Sequence, residues 1–469
     1  MTRRLSLGIG VIAAVAALGS DALLPAANAE PPSPALPAQL SLDQALAIFR
    51  AHGLDLLIAD AAVADAEGEV KVAGAIPNPN WTASVLRSFY SPVTPSPLFS
   101  SNLGFIAGIG DSNAIEDSLS GKRHLRLKVA RAALKAARFA RQDAQRTLEF
   151  QVKQQYLQAV LARDQLEFAL AVQKAWNETL QLTLRRYHAG AISERDQAIV
   201  ETAKLQADQM VTQARAALAE AKLSLAFLLG IRDQLPQFEV VDPLPKFVVP
   251  SGLRAATPSS LLAEAFLHRP DLKGQAFERD RALASIALAK RLRVPDIAFN
   301  IQYFQQGSGD GFCPAGATRD GNSNCVQGGS VFSPVAPITP PTLQFGLSGT
   351  LPVFYFQQGE IRKAEADWRT QDLGYAKTRA QIVADIGGAY ASFLAAKELV
   401  ERMEGRLLER AKVARDLTDL QYQRGTASLL EYLDAQRTYI ATVVDYFRDL
   451  SAYWTAVFAL EQAVGRDLR

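Results

Sequence analysis

Residues 185–231 and 420–466 are two copies of one segment. At a constant offset of 235, Tyr187 aligns with Tyr422, Gly190 with Gly425, Ser193 with Ser428 and Gly230 with Gly465. The chain is therefore a tandem duplication, and its fold must be built twice from one unit. Upstream the offset falls to 216, where His52, Asp55, Leu56 and Pro79 align with His268, Asp271, Leu272 and Pro295. The second copy is thus nineteen residues longer, and the extra length falls largely in the Gly-, Asn- and Pro-rich stretch Gln306–Pro341, which reads as an enlarged loop.

The N-terminus has the layout of a secretory signal over residues 1–29. Arg3 and Arg4 precede an apolar run from Leu5 to Leu18, and Ala27-Asn28-Ala29 supplies a small-x-small cleavage site. Removing that segment takes away two Arg and one Asp, so a net charge of +2 becomes +1. Nothing in that balance points to nucleic acid. The rest of the chain has no run of 18 apolar residues, so no transmembrane helix is expected. Cys313 and Cys325, the only cysteines, both lie in the enlarged loop. They are either two free thiols or a bridge, and export together with their close spacing favours the bridge.

Helix dominates the pattern. Between Gly121 and Tyr187 there is no proline, and Ala159, Ala162, Leu166, Ala169, Gln173, Trp176, Leu180, Leu184 and Tyr187 recur at steps of three and four. A second such pattern runs from Ser193 to Leu229, and the second copy repeats both. Each pair reads as an antiparallel hairpin, with Gly190 and Gly425 giving the left-handed backbone at the turn. Between the helical blocks lie alternating segments. Trp81, Ala83, Val85 and Phe89 alternate with polar neighbours, as do Ile297, Phe299, Ile301 and Tyr303, and Leu343, Phe345, Leu347 and Leu351. A fourth strand is expected by symmetry between Phe105 and Ser120. Strands of about ten residues match a tilted membrane crossing. Four of them cannot close a barrel, so several copies must share one.

At this point the chain resembles the TolC-like outer membrane efflux family. The likeness spans essentially the whole exported sequence. It rests on the duplicated Tyr-x-x-Gly-x-x-Ser turns, on Leu433-Asp434-Ala435-Gln436 after the second turn, on Leu351-Pro352-Val353-Phe354 before Gly359, and on Leu228-Leu229-Gly230 closing the first copy. Gly121-Lys122-Arg123 is similar to a junction in the CzcC-like heavy-metal branch, with basic residues near lipid headgroups as the alternative reading.

The resemblance implies a mainly α fold with membrane β: long helical hairpins forming a periplasmic α-barrel, and four transmembrane strands per chain pooled by a homotrimer into a 12-stranded barrel. The expected organisation is signal 1–29, an N-terminal helical segment 30–80, a first strand pair 81–120 and a first hairpin 121–230. There follow a linker or equatorial segment 231–258, a helix 259–294, a second strand pair with its extracellular loop 295–353, and a second hairpin 354–469. A passive outer-membrane exit duct is implied, reaching into the periplasm. Its partners would be outer-membrane lipid, a periplasmic membrane-fusion adaptor and an inner-membrane pump of the RND type. Heavy-metal cations are the first cargo to consider, with multidrug efflux or type I protein secretion as alternatives. A periplasmic coiled-coil adaptor is the alternative from another class.

For the entrance, the resemblance implies acidic residues at Glu431 and Asp434. Three protomers would make each a ring that favours cations. Their residue-level alternative is carboxylates that complement a helix start. Asp196 is the equivalent of Glu431, while Ile199 stands where Asp434 would be. Tyr422 matches a tyrosine that relatives use to hold the entrance shut, whereas Ala427 stands where relatives carry its arginine partner. Adaptor docking is expected at Gly190, Ser193, Gly425 and Ser428. No catalytic constellation is found, and no metal or cofactor site: His52, His124, His188 and His268 stand too far apart in sequence to suggest one.

Overall fold

The computed structural model describes residues 36–87, 103–232, 235–306, 313, 316–322, 324–332 and 342–468. The expected signal, Phe89 of the first expected strand and much of the enlarged loop lie outside them. In the first copy, β1 (Gln39–Leu40) leads into α1 (Leu42–His52) and α2 (Leu54–Gly74), then strands β2 (Asn80–Arg87) and β3 (Leu103–Gly110). A short α3 (Ala114–Leu119) precedes α4 (Lys122–His188) and α5 (Glu194–Leu228), and β4 (Glu239–Val240) pairs in parallel with β1. The second copy comprises α6 (Pro258–His268), α7 (Pro270–Arg291), β5 (Ile297–Gln306), three short strands β6–β8 between Thr318 and Phe332, and β9 (Thr342–Gly349). It ends with α8 (Gln358–Arg402), a π-helical turn (Met403–Leu407), α9 (Leu408–Gln423) and α10 (Leu429–Val464). Among the described residues, no helix is long and apolar enough to cross a membrane.

The four long strands form one antiparallel sheet in the order β2-β3-β5-β9. Its register puts Trp81 opposite Ile109, Ile109 opposite Ile301 and Ile301 opposite Phe345. Because side chains alternate with period two, these residues share one face with Val85, Phe105, Phe299 and Leu347. That face is open: Val85 is 71% and Phe345 73% exposed. The opposite face carries Thr82, Ser84, Asn300, Gln302 and Gln344. A contiguous apolar patch of this size marks a surface that lipid or a partner covers. The strand expected between Phe105 and Ser120 ends at Gly110, and the remainder forms α3.

Below the sheet, α2, α4, α7 and α8 pack side by side, and farther down α4 meets α10. Α4 alone has 67 residues, roughly 100 Å of helix. The helix expected over 259–294 is two helices: Pro270 starts the second, because a proline ring cannot continue the first. At that break buried Arg269 ion-pairs with Asp271 (2.6 Å) and Asp385 (2.8 Å), which holds α7 against α8. The main core lies at mid-length, where Tyr453, Val457 and Leu460 of α10 meet Ile386 and Phe393 of α8 and Leu261 of α6. A second core joins α1, β1 and β4 to α4 through Phe49, Leu40, Val240, Tyr156 and Val160. Cys313 and Cys325 are joined by a disulfide, with Cα atoms 5.3 Å apart.

The Gly121-Lys122-Arg123 junction is a set of ties between strands and helices. Gly121 caps α4 at φ 79°, a left-handed conformation that glycine adopts freely. Lys122 is only 2% exposed, so its ammonium does not face headgroups. Its Nζ lies 2.6 Å from Asp296, 3.1 Å from Glu116 and 2.7 Å from the Val294 carbonyl. Arg123 donates to the Gly74 carbonyl (2.8 Å) below β2, Arg291 to the Ser120 carbonyl, and Arg293 to the Phe356 carbonyl (3.2 Å) after β9. Every strand-to-helix crossing is thereby anchored.

Candidate functional site at the hairpin tips

Both turns repeat one local design. Gly190 (φ 71°) and Gly425 (φ 78°) take the left-handed conformation, and nothing lies within 4 Å of where a Cβ would stand on either. Glycine is thus demanded by the backbone, and the outer side of each turn is open. Ser193 and Ser428 then cap the returning helices. The Ser193 Oγ accepts from the Asp196 N–H (3.2 Å), and the Ser193 N–H and hydroxyl donate to the Asp196 carboxylate at 3.3 and 2.8 Å. At the second tip the Ser428 Oγ accepts from the Glu431 N–H (3.3 Å), and its N–H and hydroxyl donate to Glu431 Oε2, each at 2.8 Å. These are reciprocal capping boxes.

Asp196 and Glu431 therefore serve as helix-start carboxylates, the alternative their sequence position left open. Glu431 remains fully exposed, and hydrogen bonds from the Ser428 N–H and hydroxyl hold its carboxyl below the usual glutamate range. The cap is accordingly complete above that usual range and is lost only as pH falls through the lowered value. Asp434 is exposed one turn further along the same face of α10. Its counterpart Ile199 is half-buried against an apolar cluster of Trp176, Ala203, Ala207 and Tyr432. Asp434 thus has no acidic counterpart on the first hairpin, whose own first turn carries Glu194 and Asp196.

Tyr422 is placed inside the protomer, 6% exposed. Its ring stacks on Tyr432 at 4.7 Å, and the Arg186 guanidinium lies over it, 5.0 Å from the centroid. The same guanidinium donates to the Gln423 (3.1 Å) and Tyr422 (3.4 Å) carbonyls at the C-terminus of α9. Tyr432 completes the joint: it shares a hydrogen bond with Thr179 (2.9 Å) and meets Trp176 edge-on. Arg186, Thr179 and Trp176 thus clamp the first hairpin to the second. Sequence reasoning did not single out Arg186, although the copies differ there: its counterpart is Gln421. Ala427 packs at the edge of this cluster. Among the described residues, no group of three or more His, Cys, Asp or Glu could hold a metal ion.

Known proteins match this architecture over about nine-tenths of the chain. The Outer membrane efflux protein family model matches residues 46–231 and 261–466, one block per copy. The cobalt-zinc-cadmium resistance protein CzcC of Cupriavidus metallidurans is 22% identical over 433 residues, covering 91% of this chain and 90% of that protein. The pyoverdine export outer membrane protein OpmQ of Pseudomonas putida is 25% identical over 440 residues, covering 90% and 85%. In fold, the open state of the Neisseria gonorrhoeae MtrE outer membrane channel superposes with a TM-score of 0.68 at 20% identity, covering 91% of this chain and 89% of that one. The fold class is that of the trimeric TolC-like channels, mainly helical with four membrane strands from each chain. With both copies matched by one family and an apolar sheet above paired hairpins, the chain belongs to the outer membrane efflux protein family, seated in the outer membrane and extending into the periplasm.

Proposed function

We propose that this channel is the passive exit duct of a tripartite efflux system and that its cargo is heavy-metal cations. The observation that carries the duct reading is the four-stranded sheet, whose apolar face is exposed and whose edges β2 and β9 are unpaired among the described residues. Edge groups cannot stay unpaired in lipid, so several copies must close one barrel, and a trimer pools twelve strands. The hairpins continue that barrel as a tunnel. Transport energy comes from an inner-membrane pump of the RND class, coupled through a periplasmic adaptor that meets the open turns at Gly190, Ser193, Gly425 and Ser428.

The metal reading is supported by the likeness to CzcC and by the acidic face of the second tip. Three copies of Glu431 and Asp434 bring six carboxylates to one entrance, and concentrated negative charge in a narrow mouth favours cations. The likeness to OpmQ favours a second reading, siderophore export. Deleting the gene in its own host separates the two. Increased sensitivity to cobalt, zinc or cadmium supports metal efflux, and intracellular siderophore retention with unchanged metal tolerance overturns it.

The entrance reading has its own test. Glu431→Gln with Asp434→Asn removes the charge and leaves a glutamine that can still complete the Ser428 capping box. In planar bilayers the parent trimer is expected to favour cations and to be blocked by multivalent cations from the periplasmic side. The double variant should lose most of that block, an effect on the order of tenfold for six removed charges. Unchanged block in an assembled variant would leave both residues with a helix-start role only.

A further inference from the structure

Between α4 and α7, just below the sheet, runs a groove of about 850 Å³. Its rim carries His124, Lys128, Arg131 and Lys135 from α4 and Lys290 from α7, against the single carboxylate Asp280. Its floor is apolar, with Phe277, Leu283 and Ile286. Lys128, Arg131, Lys135 and Lys290 form no ion pair among the described residues; Lys135 instead lies over the Phe277 ring at 5.2 Å. Four cations facing one groove repel one another, so the arrangement is completed by an anion.

The groove opens on the outer face of the helical layer. Lys135 stands two seven-residue steps from Glu149 and three from Tyr156 on α4, and each step drifts only about 20° from two full turns, so these residues lie on the same side of the helix. On that face Glu149 ion-pairs with Arg50 of α1 (2.7 Å), the Tyr156 hydroxyl donates to the Leu40 carbonyl of β1 (2.9 Å), and Arg163 donates to the Val240 carbonyl of β4 (2.6 Å). A layer of α1, β1 and β4 therefore covers this side at mid-length. In a duct the covered side is the outside, because the same layer inside would obstruct the passage. The groove occupies the uncovered stretch between that layer and the membrane. Its upper end, His124 and Lys290, lies within one turn of the helix ends that meet the sheet, and its lower end is about 20 Å down.

We propose that this groove binds an anionic phospholipid of the periplasm-facing leaflet, its phosphate held in the upper part by Lys128, Arg131 and Lys290, with Lys135 adding positive charge farther down and an acyl chain lying along Leu283 and Ile286. The site is continuous with the apolar face of the sheet, the charges are complementary, and basic residues beside a membrane attract anionic lipid. The assignment rests on the outer-membrane channel reading. It adds a lipid contact that ties the helical tunnel to the bilayer above it.

The test uses the full-length trimer in mild detergent, titrated with phosphatidylglycerol and followed by native mass spectrometry. The parent should retain up to three lipids per trimer. The variant Lys128→Gln, Arg131→Gln, Lys135→Gln, Lys290→Gln should bind at least about tenfold more weakly. A control variant neutralising Arg195, Arg215, Lys412 and Arg437, all exposed on the hairpins well below the groove, should bind like the parent. Equal retention by the groove variant overturns the proposal. So does displacement of the lipid by millimolar inorganic phosphate, which would mark a site for free anions. A trimer that conducts in planar bilayers but retains no phosphatidylglycerol removes the lipid site alone, whereas failure to recover any membrane-embedded trimer removes the channel reading and the lipid site with it.

Discussion

Lysine at both Ile301 and Phe345 is expected to abolish recovery of the trimer from outer membranes. The two residues are cross-strand partners near the middle of β5 and β9, on the exposed apolar face. A lysine at the bilayer midplane costs about 2–4 kcal/mol, and the pair occurs three times in a barrel. That sum exceeds the whole stability of many folded domains, which is about 5–15 kcal/mol. The neighbouring register pair supplies the control. Gln302 and Gln344 also face each other, but on the polar side. Lysine at both should leave the trimer recoverable, as judged by size-exclusion chromatography of detergent-extracted outer membranes. Normal recovery of the Ile301→Lys, Phe345→Lys protein would remove the assignment of this face to lipid.

Lys122→Met is the second change with a large expected effect. It deletes the ammonium that faces buried Glu116 and binds Asp296 and the Val294 carbonyl. Breaking a buried pair from one side typically costs about 3–5 kcal/mol, because the remaining charge keeps its desolvation penalty. Asp296 is half exposed and can regain water, but Glu116 cannot. Thermal denaturation should therefore show a clear fall in the melting temperature of Lys122→Met. Adding Glu116→Gln should restore part of it, since the stranded charge is then gone. An unchanged melting temperature in the single variant would reduce the junction to ordinary packing.

The legible parts of this fold are the ones whose signals are local or repeated. The Tyr-x-x-Gly-x-x-Ser turns declare themselves through a glycine at positive φ and a serine cap within four residues, and they occur twice. Strands β2, β5 and β9 alternate cleanly. Β3 does not, because Gly108 and Gly110 occupy the face where polar residues would mark the alternation. The reason lies across the sheet: a Cβ at Gly108 would stand 2.8 Å from the Gln302 side chain and 2.9 Å from the Thr82 hydroxyl. Neighbours more than twenty residues away thus dictated the residue that hid the strand.

The same limit applies at the tips. The acidic and capping residues were visible, but the Arg186–Tyr422–Tyr432 joint connects residues far apart in the chain, and no spacing rule reaches across a duplication. Lys122 is similar: its motif was visible, while its partner Asp296 is 174 positions away. The break before Pro270 carries a local sign in the proline itself, yet the expected organisation ran one helix through it. The π-turn at Met403–Leu407 interrupts the second hairpin where the first has unbroken α4, and its sequence carries no proline to announce it.

The strand order also has a bearing on copy number. From β2 through β9 the strands alternate in direction, so the two edges of one sheet run opposite ways. When β9 of one protomer meets β2 of the next, the pairing is antiparallel, like every pairing within the sheet. Closing with two, three or four copies would satisfy that rule equally well, and each would give an even number of strands. Strand direction therefore does not choose three. The choice falls to curvature, and the long helices beneath set it, since each packs against its neighbour at a preferred angle along a length far greater than that of any strand. In this family member the membrane barrel inherits its circumference from the tunnel below it.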